Sequence, residues 1–128
     1  MLAKELMVRD VVTVDCRATL RDAIRLMKQN NIKCLVVDKR HPNDAYGMVT
    51  YSTIVKTVSA EAGDIDLINV YDVYTKPVLS VGEDLDVKYV ARLMTEYQVK
   101  RVLVCNNNEM SGLITMHDIV GEIMTTIE

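Results

Sequence analysis

Apolar residues follow two rhythms along this chain. Leu20, Ala23, Ile24 and Met27 recur at the i, i+3, i+4, i+7 spacing of one helix face, behind Thr19, a residue suited to capping a helix. Val87, Val90, Ala91 and Met94 repeat that spacing behind Asp86. Around these stretches lie short apolar runs that read as strands, over residues 11–14, 34–37, 46–49, 78–81, 102–105 and 112–114. Polar turns are predicted at 39–44, which contains Pro42, and at 106–109. Two more helices are predicted over 53–58 and 118–126.

The pattern is a duplication. Val14 and Val81 stand 67 positions apart, and the same offset lays Arg25-Leu26-Met27 on Arg92-Leu93-Met94 and Leu35-Val36-Val37 on Val102-Leu103-Val104. Beyond the next loop the offset drops to 65, because the first copy carries two extra residues there. Gly47-Met48-Val49-Thr50 then falls on Gly112-Leu113-Ile114-Thr115. Each copy reads strand-helix-strand-strand-helix, an α/β pattern. Sixty-odd residues with three short strands leave a sheet half covered, so two copies packed sheet to sheet are expected. The expected boundaries are 1–60 for the first repeat and 61–128 for the linker and second repeat. The linker is placed at residues 59–69, around Glu61-Ala62-Gly63-Asp64.

Composition narrows the function. The chain has 128 residues, 49% hydrophobic and 26% charged, which describes a folded globular protein. A net charge of −3, with no Trp or Phe and six Tyr, argues against nucleic acid as a partner. Cys16, Cys34 and Cys105 form no C-x-x-C pair, and His41 and His117 stand far apart, so neither a disulfide framework nor a metal site is expected. No apolar run approaches the ~18 residues of a membrane span. With no signal-peptide pattern at the N-terminus either, a cytoplasmic location is expected. No nucleophile–base pair or phosphate-cradling glycine loop is present, so catalysis is not expected.

The richest stretch is Gly112-Leu113-Ile114-Thr115-Met116-His117-Asp118-Ile119, a strand running into a helix. Thr115 and Asp118, three apart at the helix mouth, can grip the two hydroxyls of a ribose. They can equally form a capping box that satisfies the helix's first N–H groups.

These motifs, in this order inside a duplication, resemble a tandem pair of cystathionine β-synthase (CBS) domains, often called a Bateman module. Val8-Arg9-Asp10-Val11-Val12-Thr13-Val14 and Val70-Tyr71-Asp72-Val73-Tyr74-Thr75-Lys76-Pro77-Val78 are similar to the family's lead-in. Residues 112–119 are similar to its ribose motif. The resemblance implies two α/β halves related by a pseudo-twofold axis, and a regulatory module that senses an adenine nucleotide (AMP, ADP or ATP) or an adenosyl compound in a cleft between them. It implies no required cofactor. Carried onto this sequence, it names Lys76, Pro77, Val78, Lys100, Arg101, Thr115 and Asp118 as the ligand site. Asp10, Val11, Val12, Thr50 and Thr53 form a weaker first site, since the first copy has Thr53 in place of the acid and Cys34 in place of the arginine. It further implies a homodimer through exposed helices, with Ile119, Val120, Ile123 and Met124 either on that surface or in the core. As the repeat fills the chain, action as a separate subunit on an effector protein is expected. The alternative is a structural interaction module with a vestigial site.

Overall fold

The computed structural model describes residues 1–60 and 64–127. The expected linker turn at Glu61-Ala62-Gly63 lies outside the described residues. The chain divides into two compact units, one of Val12–Val78 and one of Met1–Val11 with Leu79–Glu128.

In the Val12–Val78 unit a three-stranded sheet has the order β1 (Thr13–Val14), β2 (Cys34–Val37), β3 (Gly47–Thr50). β1 runs parallel to β2, with helix Leu20–Asn30 as the crossover, and β3 returns antiparallel. That helix forms where the apolar spacing predicts. Thr19 caps it by accepting from the Asp22 N–H, and its apolar face buries Leu20, Ala23 and Met27. It ends at Asn31, whose φ of 52° is the left-handed turn asparagine tolerates. Ala23 and Met27 join Val14, Leu35, Val37 and Val49 in one core. Helix Tyr51–Ala60 follows β3 and buries no residue fully.

The other unit repeats the plan with β4 (Ser80–Gly82), β5 (Arg101–Asn106) and β6 (Glu109–Thr115), and helices Val87–Tyr97 and Met116–Met124. Its β5/β6 hairpin is longer than sequence spacing suggests. Asn107 and Asn108, both at positive φ, make a two-residue loop that lets the strands pair to its edge. A register shift at Val104/Cys105 leaves Ser111 as the extra residue of a bulge, and its hydroxyl hydrogen-bonds Glu83.

The lead-ins are exchanged between repeats. Each contains a four-residue helix that the sequence analysis does not anticipate, Ala3–Leu6 and Val70–Val73. The Ala3 and Lys4 N–H groups donate to Leu85 and Glu83 carbonyls at 2.8 and 3.0 Å. At the corresponding positions Val70 and Tyr71 donate to Ala18 and Cys16 at 2.8 and 3.0 Å. Val8 then pairs with Leu113 through two hydrogen bonds, at 2.9 and 3.0 Å. Thr75 pairs with Met48 through two at 2.9 Å. So each compact unit takes its lead-in from the segment that the sequence analysis assigns to the other repeat.

This approach requires glycine. A Cβ on Gly112 would stand 2.7 Å from the Val8 carbonyl oxygen and 2.8 Å from the Met7 sulfur. One on Gly47 would run into the Tyr74 ring. The second lead-in is also tied by charge. Asp44, in the loop lengthened in the first copy, takes Lys76 at 2.7 Å and Arg40 at 3.0 Å, with 8% of its side chain exposed. Arg40 first, then Lys76, hold its carboxyl far below the usual carboxylate range.

Gly112→Ala is expected to cost about 1–3 kcal/mol in urea unfolding, the range for overpacking a tight site. A change under 0.5 kcal/mol, taken as roughly the scatter of a neutral substitution, would mean that the lead-in does not need the space. Asp44's lowered pKa adds stability that is present above the unfolded carboxylate value of ~3.9 and fades as pH falls below it. Asp44→Asn should therefore lower stability at pH 7 and narrow the difference between pH 7 and pH 3, read from urea midpoints at the two pH values.

Candidate functional site

The start of helix Met116–Met124 is built by the strand before it. β6 ends at Thr115, whose extended backbone (φ −109°, ψ 162°) makes it the helix cap. Its hydroxyl oxygen accepts from the Asp118 N–H at 3.2 Å. Asp118 Oδ2 accepts in return from the Thr115 N–H and the Thr115 hydroxyl, both at 2.9 Å. The capping box is therefore formed. It uses one carboxylate oxygen. Oδ1 takes no protein hydrogen bond among the described residues, and the residue is half-buried. The box thus holds the carboxylate in one orientation and leaves an acceptor.

Arg101 opens β5 directly across the strand pair from Thr115, so the two side chains leave the same face of the sheet. It is half-buried, and among the described residues it makes no ion pair. Lys100, exposed, contributes its carbonyl, which accepts the Met116 N–H at 2.8 Å and anchors the helix start. His117 is exposed on the first turn of that helix.

The first repeat copies the geometry without the charge. Cys34 stands across from Thr50 as Arg101 stands across from Thr115. Thr50 and Thr53 face each other with hydroxyls 3.3 Å apart, and both backbone-to-hydroxyl bonds stretch to 3.4 Å. This box is longer than its counterpart and neutral.

The exchange of lead-ins divides the residues named from sequence between the two compact units. Lys76, Pro77 and Val78 belong to the unit of Thr50 and Thr53 rather than that of Thr115 and Asp118, because Thr75 pairs with Met48. Asp10 and Val11 belong to the unit of Arg101, Thr115 and Asp118, and Val12 to the unit of Thr50 and Thr53. The Lys76 ammonium is held by Asp44 and lies 5.6 Å from the Tyr74 ring centre. Sequence reasoning missed Asp44 altogether. The signal available was the two-residue excess in its loop, with Arg40 four positions before it. Of the four apolar residues weighed for surface or core, Ile119 is buried, while Val120, Ile123 and Met124 are 45, 55 and 64% exposed. Among the described residues no group of three or more His, Cys, Asp or Glu side chains is placed to hold a metal, and no helix is long and apolar enough to cross a membrane.

Known proteins share this architecture. A family model of the CBS domain matches residues 3–60 and 70–125. Protein MK0525 of Methanopyrus kandleri is 26% identical over 113 residues, which cover 88% of this chain and 57% of that one. The hexameric CBS-CP12 protein from bloom-forming cyanobacteria superposes with a TM-score of 0.87 at 38% identity, over 94% of this chain and 66% of that one. The chain therefore spans under two thirds of either of these relatives. The CBS domain pair of protein MJ0100, solved in complex with 5′-methylthioadenosine and S-adenosyl-L-methionine, superposes with a TM-score of 0.84 over 98% of both chains, at 21% identity. With the domain matched twice, once on each half of the duplication, this chain belongs to the CBS family as a tandem pair.

Proposed function

We propose that this CBS pair is a regulatory module whose second repeat binds an adenine nucleotide or adenosyl compound, with Asp118 as the ribose acceptor. The observation that carries the reading is the unused Oδ1 of a carboxylate already oriented by Thr115. A ribose carries two adjacent hydroxyl donors, and a carboxylate accepts both without rearrangement. Arg101, across from Thr115 and without an acid partner among the described residues, presents a planar fork of donors to a phosphate. Lys100 lies beside it as a further cation. The lead-in backbone at Asp10 and Val11, in the same unit, offers N–H and C=O groups to the base. The adenosyl complex of the MJ0100 pair supports this ligand class. The first repeat, with Thr53 and Cys34 in place of acid and guanidinium, forms the weaker site; Val12, Lys76, Pro77 and Val78 stand on its side. Binding that favours one arrangement of the module over another carries the signal to a partner protein or a second protomer. The exposed Val120, Ile123 and Met124 suit a homodimer surface.

A second reading rests on the same box. The Thr115–Asp118 cap is complete with no ligand, so both residues are accounted for in a pure interaction module. Two variants separate the readings. Asp118→Asn keeps an acceptor for the Thr115 N–H but loses the charge. It is expected to hold its melting temperature and to weaken nucleotide binding at least tenfold, the lower end of the about 1.5–3 kcal/mol of a charged hydrogen bond. Asp118→Ala loses the cap as well and should cost a further ~0.5–2 kcal/mol of stability. Calorimetric titration with AMP, ADP, ATP and S-adenosylmethionine reads the affinity. If none of the four binds the wild type, the interaction module stands. Thr53→Asp should shorten the long first-repeat box and raise the melting temperature by a few degrees in a thermal scan, as a gain of ~0.5–1 kcal/mol would.

A further inference from the structure

The Val12–Val78 unit contains a cavity of about 640 Å³ that the adenosine reading leaves unused. That volume lies within the ~300–1,000 Å³ of ordinary small-molecule sites. It opens where β1 and β2 end, beside Asp15 and Asp38, whereas Thr50 and Thr53 stand at the opposite end of the sheet. Arg17 and Arg40 both line it, and each guanidinium is steadied by an acid. Asp15 takes Arg17 Nε at 3.1 Å and Nη2 at 3.0 Å. Asp44 takes Arg40 Nε at 3.0 Å. These bonds leave Arg17 Nη1 and both terminal nitrogens of Arg40 without a protein partner among the described residues. Cys16 lines the same cavity.

Two tyrosine rings complete the wall. The backbone of Tyr71 is anchored by its N–H bond to the Cys16 carbonyl at 3.0 Å, with the residue 51% exposed, and the Tyr74 ring lies over Gly47. The other unit has none of this chemistry at the corresponding positions. Arg17 corresponds to Asp84, Lys39 to Asn106, Tyr71 to Lys4 and Tyr74 to Met7. The set therefore does not come from the shared scaffold and belongs to the Val12–Val78 unit alone.

We propose that this cavity is a second small-molecule site, for a phosphate monoester carrying a flat ring. Arg17 and Arg40 clamp the phosphate, and Tyr71 and Tyr74 receive the ring. Terminal guanidinium nitrogens match phosphate oxygens in pairs, and a dianion gains more than a carboxylate from a wall that also carries Lys39. Asp38, at the same wall, accepts from hydroxyls between phosphate and ring.

The chain has no Trp or Phe and six Tyr, so its tyrosine ring signals in NMR report the site directly. The probe is AMP, with ribose 5-phosphate (no ring) and adenosine (no phosphate) as comparisons. AMP is expected to shift the ring signals of Tyr71 and Tyr74 saturably, with each comparison at least tenfold weaker. The Arg17→Ala/Arg40→Ala double variant, shown folded by its amide spectrum, should lose at least tenfold in apparent affinity at these signals. Asp118→Asn should leave them unchanged, which separates this site from the one at Asp118. Ring signals unmoved by AMP, or moved equally in the folded double variant, would overturn the proposal.

Discussion

Each half of this protein depends on a close backbone approach that glycine alone permits. Gly112 lets the Met7–Val8 segment lie against β6, and Gly47 lets the Tyr74–Thr75 segment lie against β3. The paired hydrogen bonds that follow bridge two strips of lead-in to the edges of the sheets. They also decide which residues share a unit. The strand held by this contact is the one that ends in the threonine capping the next helix, so backbone packing at the glycine sets where that cap stands. The chemistry at Thr115 thus begins three residues earlier, with a missing side chain.

One scaffold used twice makes the differences between copies informative. Hydrogen-bond partners of the two short lead-in helices correspond position by position. Against that sameness, a carboxylate in one copy corresponds to a hydroxyl in the other, and a guanidinium to a thiol. The two bonds that the Asp118 carboxylate accepts from Thr115, at 2.9 Å against 3.3–3.4 Å where the Thr53 hydroxyl stands instead, are the direct consequence: a charged acceptor draws its donors in. The first repeat has its own investment, in the longer loop that brings Asp44 to Lys76 and Arg40. Charge is placed at opposite ends of the two sheets.

Much of this was legible before any coordinates. Leu20, Ala23 and Met27 are buried as their spacing predicts, and β2 spans Cys34–Val37 as read. Local signals, such as helix periodicity, capping residues and an internal offset, are what a sequence states plainly. What it did not state is non-local. Nothing near Val8 says that its partner is Leu113, more than a hundred residues away. The helix Ala3–Leu6 escaped notice because Leu2, its cap, is not a capping residue: the Glu5 carboxylate reaches back to the Leu2 N–H instead. At Thr115 and Asp118 the sequence allowed two roles. The structure forms the cap with one oxygen and so leaves both roles compatible.

The most direct measurement is a crystal structure of the protein grown with saturating AMP. The account predicts both ribose hydroxyls within ~2.5–3.0 Å of the Asp118 carboxylate, with the Thr115 bonds to Oδ2 intact. A ribose elsewhere, with Asp118 still closed on Thr115 alone, would contradict it.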